Sequence, residues 1–249
     1  MTQQVRVAVF RPDDERLADA VELLDSLGAT PVADPMLEVR PTGASPQTDD
    51  ADYVVLTSKT GVELAKEAGW EPGDTTVVAI GESTANALRK AGYRVDRVPE
   101  EFSSTGLVEM LAGEVDGKRV EVARSDHGSP VLTDGLREAG ADVNETVLYR
   151  LVRPESSGKS AEMAADGELE AALFTSSLTV EHFLDAAEER GIRDEAIAGL
   201  NDAVVGTIGH PTKERAESHG ITVDVVPDVA DFEELACAVV EMAAPSYHE

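Results

Sequence analysis

The 249-residue chain has one cysteine and little aromatic content (4%), and its 21 Lys plus Arg stand against 49 Asp plus Glu. A single cysteine excludes an internal disulfide and any cysteine-based metal cluster. Cys237 lies in the apolar helical pattern Phe232, Leu235, Ala236, Val239 and Val240, which predicts a small buried core residue. The deficit of bases leaves a formal charge of −28. Nucleic acid needs a basic footprint and anionic lipid needs Lys/Arg clusters, so both are excluded as partners. No apolar run approaches the ~18 residues of a membrane span. Met1-Thr2-Gln3-Gln4 runs directly into an apolar strand pattern without a signal-peptide core, so a soluble, cytoplasmic protein is expected. Walker A, G-x-G-x-x-G and H-E-x-x-H are all missing. His127, His182, His210, His219 and His248 are dispersed without ligand spacing, so neither a metal nor a cofactor is expected.

What is present is regular. Apolar residues make up 42% of the chain in ordered patterns, which argues against disorder. The acids are scattered in pairs such as Asp13-Asp14, Asp49-Asp50 and Glu233-Glu234, as on a highly solvated surface suited to a salt-rich cytosol. Short apolar runs alternate with helical patterns ending in Gly, the mark of α/β architecture. Val5–Phe10 reads as a strand, followed by a helix with Leu17, Ala20, Val21 and Leu24 on one face and Gly28 where a left-handed cap would sit.

The pattern repeats. Arg11, Gly28 and Pro41 correspond to Arg124, Gly140 and Pro154, at offsets of 113, 112 and 113. Tyr53–Ser58 followed by Val62 resembles Ala171–Ser176 followed by Val180, and Val77–Gly81 resembles Val204–Gly209. Each copy then reaches a Val-Pro (Val98-Pro99, Val226-Pro227) and a terminal helix. The chain is two copies of one α/β module. A linear division into 1–117 and 118–249 and an exchanged one, in which the chain crosses over after its first strand–helix unit, both fit. The segments Pro35–Pro41 and Val147–Pro154 read as extended and end in Pro, which suits edge strands or linkers.

Ligands of open α/β sheets bind beyond the carboxyl ends of the strands. The turns there are rich in hydroxyls: Thr57-Ser58-Lys59, Gly81-Glu82-Ser83-Thr84, Thr175-Ser176-Ser177 and Gly209-His210-Pro211-Thr212. Free N–H groups at a helix start, together with a hydroxyl, hold an anionic oxygen; equally, Ser and Thr are preferred N-caps, and capping explains any single turn. Arg11, Arg124, Arg150, Arg153, Lys59 and Lys213 lie near these turns as candidate carboxylate partners, with ordinary surface pairing the stronger reading for Arg153 and Lys213. Tyr149 is either a packed strand aromatic or a proton donor to a leaving oxygen.

Taken in order, Arg11-Pro12, Thr57-Ser58-x-x-Gly61-Val62, Ile80-Gly81-x-x-Thr84-Ala85, Tyr149-Arg150, Phe174-Thr175-Ser176-x-x-x-Val180 and Ile208-Gly209-x-x-Thr212 resemble the uroporphyrinogen-III synthase family. The second Ile-Gly turn departs locally, with His210-Pro211, and with Lys213 where the first copy has Ala85. The resemblance implies an α/β protein of two similar parallel-sheet, flavodoxin-like domains joined by a two-stranded extended linker, with the first strand–helix unit swapped. One domain would take 1–35 plus 154–249 and the other 41–147, with linker strands 36–40 and 148–153 and a ligand cleft between the domains.

It further implies no cofactor, and hydroxymethylbilane as substrate. This linear octacarboxylate tetrapyrrole would be cyclised with loss of water and inversion of the terminal ring, through an azafulvene and a spiro intermediate. Tyr149 matches the family's tyrosine and is the candidate acid. Arg11, Thr57, Ser58, Ser83, Thr84, Arg124, Thr175, Ser176, Ser177 and Thr212 would hold the carboxylates. A monomer is expected, with room for transient contact with the preceding pathway enzyme. The competing readings are a non-catalytic two-lobed binding or regulatory protein of the same fold, and a receiver-like module. The latter wants an Asp where Thr57 stands.

Overall fold

The structure is a computed structural model and describes residues 5–244. His248 and the Met1–Gln4 segment lie outside the described residues. Strand β1 (Arg6–Val9), helix α1 (Glu15–Ser26) and strand β2 (Thr30–Ala33) come first. Next are β3 (Glu38–Pro41), β4 (Tyr53–Leu56), α2 (Lys59–Glu67), β5 (Thr76–Ala79), α3 (Glu82–Ala91), α4 (Ser104–Leu111), β6 (Arg119–Ser125), α5 (Pro130–Glu138) and β7 (Asp142–Val152). The chain finishes with α6 (Lys159–Ala165), β8 (Ala171–Phe174), α7 (Ser177–Glu189), α8 (Arg193–Asp202), β9 (Val204–Thr207), α9 (His210–Ser218) and α10 (Phe232–Ala243).

Two compact units result: one reaches Glu38 and resumes at Val152, the other is Val39–Leu151. The first holds a four-stranded sheet ordered β2-β1-β8-β9; a five-stranded sheet is ordered β3-β7-β6-β4-β5. β1 pairs with β8 in parallel, Val7 opposite Ala171. The segments read from sequence as linkers contain β3 and the C-terminal half of β7, neighbours at one edge of the five-stranded sheet. Within the first unit, the places where the chain leaves and returns are tied together. The buried Asp34 carboxylate accepts from the amides of Gly158 (3.0 Å) and Ser160 (2.8 Å).

Parallel strands covered on both faces are apolar throughout, with alternate residues serving opposite layers. On β1 and β8, Val7, Val9, Ala171 and Leu173 pack under α1 and α10, while Ala8, Phe10, Ala172 and Phe174 face the other layer. There Phe10 stacks on Phe174 at 4.5 Å and meets Phe183 edge-on at 5.6 Å. In the second unit Val54, Leu56, Val77 and Ala79 face α2 and α3, and Val55, Val78 and Val122 face α4 and α5. Gly28 (φ 78°) and Gly140 (φ 91°) take the left-handed conformation that ends α1 and α5.

The internal repeat extends to polar contacts. Arg6 donates its amide to Glu170 at 2.7 Å, and Arg119 donates its amide to Asp52 at 2.9 Å. Asp96 accepts from Val77 N (2.7 Å) just as Asp224 accepts from Val205 N (2.8 Å).

Cys237 departs from expectation: it is exposed. Leu235, Ala236 and Val239 define the buried side of α10. At ~100° per residue, position 237 falls near the opposite side. The Asp13-Asp14 pair also has a structural use, because Asp14 caps α1 by accepting from Arg16 N at 2.9 Å.

Candidate active site

In the second unit, the chain after β4 turns into α2 with Ser58 as N-cap, its hydroxyl oxygen accepting from Gly61 N at 3.0 Å. The same oxygen accepts a hydrogen bond from the Tyr149 hydroxyl, also 3.0 Å. Tyr149 is 6% exposed, and its phenol reaches the turn because β7 is irregular there. The pairing of β6 with β7 steps from Arg124–Val147 to Ser125–Tyr149, passing over Leu148. A regular strand sends neighbouring side chains to opposite faces; this bulge lets Leu148 and Tyr149 share one apolar cluster. Gly61 supplies the room: a Cβ there would lie 3.1 Å from Ser58 Oγ and 3.4 Å from Leu148 Cδ1.

Asp126, paired with His127 and like it absent from the sequence-based set, ties down β7 at this tyrosine and two residues beyond it. Asp126 N donates to Tyr149 O (3.2 Å), and Asp126 Oδ1 accepts from Leu151 N (3.0 Å) while lying 2.9 Å from His127 Nδ1. Burial pushes the Asp126 carboxyl up, but His127 and the Leu151 amide outweigh it and hold it below the ordinary carboxylate range. Sequence offered no signal for this pair, since its partners depend on register.

The four hydroxyl turns divide into two kinds. Ser58 and Ser176 are N-caps; Ser176 accepts from Thr179 N at 3.2 Å. The helices of the Ile-Gly turns, α3 and α9, start on Gly81 and Gly209, which provide no capping side chain. Their first N–H groups are therefore the ones suited to an outside anion, with one fewer at α9, where Pro211 has no N–H. Ser83 is exposed at the α3 start, and Thr84 and Thr212 are buried, each in the first turn of its helix. Thr57 and Thr175 are half-buried at the ends of β4 and β8, and Ser177 donates to Pro211 O (3.1 Å), linking two turns of the first unit.

The bases differ sharply. Arg124 is buried and already engaged, donating to Ser129 O (2.6 Å) and Glu145 (2.8 Å). It braces the β6–α5 loop, and its Nε is buried without a partner. Arg153 is taken by Glu189, and Lys213 lies 3.6 Å from Glu217. Arg11 makes no ion pair among the described residues; its guanidinium lies 3.9 Å over the Phe232 ring and is half-buried. Burial pulls its pKa down, and the neighbouring Arg16 charge adds to this. Arg150 and Lys59 are exposed. Phe102, another residue missed from sequence, is 61% exposed and sits against the Gly81 turn, where a Cβ on Gly81 would meet it at 3.1 Å.

Among the described residues no group of three or more His, Cys, Asp or Glu could hold a metal ion, and no helix is long and apolar enough to cross a membrane.

Fold and turns together define an α/β protein of two repeated parallel-sheet units, each with ligand-type turns beyond its strand ends. The sequence profile of the family described as uroporphyrinogen-III synthase HemD matches residues 18–237. A protein of Methanothermobacter thermautotrophicus assigned to this synthase is 35% identical over 248 residues, covering 94% of this chain and 96% of its own. The uroporphyrinogen-III synthase of Chlorobaculum parvum is 25% identical, covering 94% and 98%. A crystal structure of mutant uroporphyrinogen III synthase from Thermus thermophilus superimposes with a TM-score of 0.69 at 20% identity, over 96% of this chain and 98% of that one. The chain belongs to the uroporphyrinogen-III synthase family.

Proposed function

We propose that the chain is a cyclising hydro-lyase that converts hydroxymethylbilane to uroporphyrinogen III as a cytoplasmic monomer without a cofactor, its two units acting as domains. The observation that carries the chemistry is the Tyr149–Ser58 hydrogen bond at the start of α2. Hydroxide is a poor leaving group, so its departure needs a proton. Ser58 Oγ accepts from both Gly61 N and Tyr149, which leaves its own hydrogen free to point outward. Tyr149 is then the acid, delivering its proton through Ser58 as the C–O bond breaks and water leaves.

The pyrrole nitrogen lone pair supplies the electron push and gives an azafulvene. Through its substituted α-carbon the terminal pyrrole attacks the azafulvene methylene to form the spiro intermediate. The bond from that carbon to the methylene of the preceding ring then breaks, and the pyrrole's free α-carbon attacks the second azafulvene so formed and loses its proton, which leaves the ring inverted. Such a reaction needs positioning more than a protein nucleophile. The uncapped starts of α3 and α9, with Ser83, Thr84 and Thr212, are the proposed carboxylate sites, together with Thr57, Thr175, Ser176, Ser177 and Arg11. Arg124 acts instead by bracing its loop. The test is product identity: purified protein with hydroxymethylbilane is expected to yield the type III isomer. Formation of the type I isomer alone, at the spontaneous rate, would overturn the proposal.

A further inference from the structure

The chain has six lysines, and three of them, Lys59, Lys66 and Lys90, line one groove of about 540 Å³ between α2 and α3. Lys118 and Lys213 are ion-paired with Asp52 and Glu217; the three groove lysines have no carboxylate within ion-pair distance among the described residues. Lys159 is likewise without an ion pair among the described residues, so what marks the groove is the gathering of three such ammonium groups in a chain with 49 acids. Glu63 is the one acid in the lining, beside Ser83 and Asn86 as neutral donors, and Val62, Ala87 and Ala91 form an apolar strip.

Lys59 and Lys66, like Ser83 and Lys90, are seven residues apart, so each pair shares one face of its helix at a separation of about 10 Å. Lys66 and Lys90 stand near helix C-termini, where the dipole favours cations. Lys59 is the first residue of α2, at the positive end, and that first turn carries no acidic residue. The helix dipole disfavours a cation there, and a bound anion would reverse this. Cations at both ends of an apolar strip match a flat heterocycle carrying carboxylates on short chains.

We propose that this groove binds one carboxylate-bearing pyrrole of the substrate, carrying the tetrapyrrole away from the Tyr149–Ser58 turn along α2 and α3; the assignment of that ligand rests on the synthase reading. The experiment compares wild type, Lys66→Gln/Lys90→Gln, the charge-preserving Lys66→Arg/Lys90→Arg, and Lys159→Gln as a control for net charge in the other unit. Two readouts are taken: steady-state kinetics with hydroxymethylbilane, and fluorescence titration with uroporphyrin I, a stable octacarboxylate porphyrin. The Gln pair is expected to raise KM and the uroporphyrin Kd by about fivefold, as two exposed ion contacts warrant. It should leave kcat and the isomer ratio unchanged, and the difference should shrink at high salt. The Arg pair and the control should behave as wild type.

Unchanged KM and Kd in the Gln pair, or a loss confined to kcat, would overturn the groove. The synthase reading fails separately, if wild type makes no type III isomer. In that event lysine-dependent uroporphyrin binding would still support a carboxylate groove, and lysine-independent binding would remove it.

Discussion

The turn after β4 and the turn after β8 are the same device built twice, and they differ in one neighbour. Both start a helix on a serine cap. Three residues on, the second unit has Gly61, where a Cβ would lie 3.1 Å from Ser58 Oγ, and the Tyr149 hydroxyl bonds to that same oxygen. The first unit has Thr179 there, whose hydroxyl bonds back to Ser176 O at 2.7 Å. The segment that repeats Tyr149 differs as well. At the 113-residue offset stands Met36, fully buried, its carbonyl accepting from His182 Nδ1. Repetition thus supplied serine-capped turns in duplicate but a phenol bonded to the cap in only one copy. On the proposed mechanism, that phenol is what separates a turn that only caps a helix from one that also delivers a proton.

The sharpest break in this comparison is Tyr149→Phe, which keeps the packing and removes the donor. Turnover at saturating substrate should fall by ~100-fold, the low end for general acid catalysis, with KM unchanged. Full turnover in that variant would take the tyrosine out of the acid role. Gly61→Thr should convert the second turn into the first. Its hydroxyl and methyl would displace the phenol and reduce kcat by ~10-fold, with the folded circular-dichroism spectrum retained. If activity survives, the Tyr149–Ser58 contact is packing only.

Removing each cap separates its two roles. Ser58→Ala and Ser176→Ala should each cost ~1 kcal/mol in urea unfolding. Only Ser58→Ala should also reduce kcat, and equal kinetic losses would erase the distinction drawn here.

The smallest expected effect concerns the opposite ends of the sheets, where Arg6–Glu170 in one unit repeats as Arg119–Asp52 in the other. Burial pushes the Glu170 carboxyl up, but the Arg6 guanidinium and amide outweigh it, so the folded pKa lies below the ordinary value. The Arg119 amide, then Lys118, does the same for Asp52. A depressed carboxylate stabilises the fold above its unfolded pKa, ~4.3 for Glu, and that stability is lost as pH falls through the folded value. Glu170→Gln should therefore cost ~1 kcal/mol at pH 7, and the difference should vanish on acidification. Asp52→Asn should cost less, because Asp52 is solvent-screened. A Glu170→Gln cost that persisted at pH 2 would assign the loss to packing.

Much of this was legible in sequence, for reasons that can be named. The apolar alternation of Val7-Ala8-Val9-Phe10 and Ala171–Phe174 reports burial on both faces, a local property. The caps at Ser58 and Ser176 likewise depend on neighbours a few residues away. Cys237 misled because composition around a helix position says less than its angle on the helix. Arg124, read as a carboxylate partner for a ligand, is paired with Glu145 across two strands, which no spacing reveals. Asp126–His127 and Phe102 were missed for the same reason: each gains its meaning from a contact set by register or by loop path.

By itself, then, the sequence determined a duplicated α/β module, the capped helix starts at Ser58 and Ser176 and a strongly acidic total charge. These are properties of short segments and of total charge, and they need no knowledge of what meets what. Only the tertiary structure decided that β1 lies beside β8, that the β7 bulge turns Tyr149 toward Ser58 across 91 residues of chain, and that three lysines are gathered along one groove. Such contacts are decided by how sheets pair and helices pack, where one residue of register moves a side chain from one face to the other.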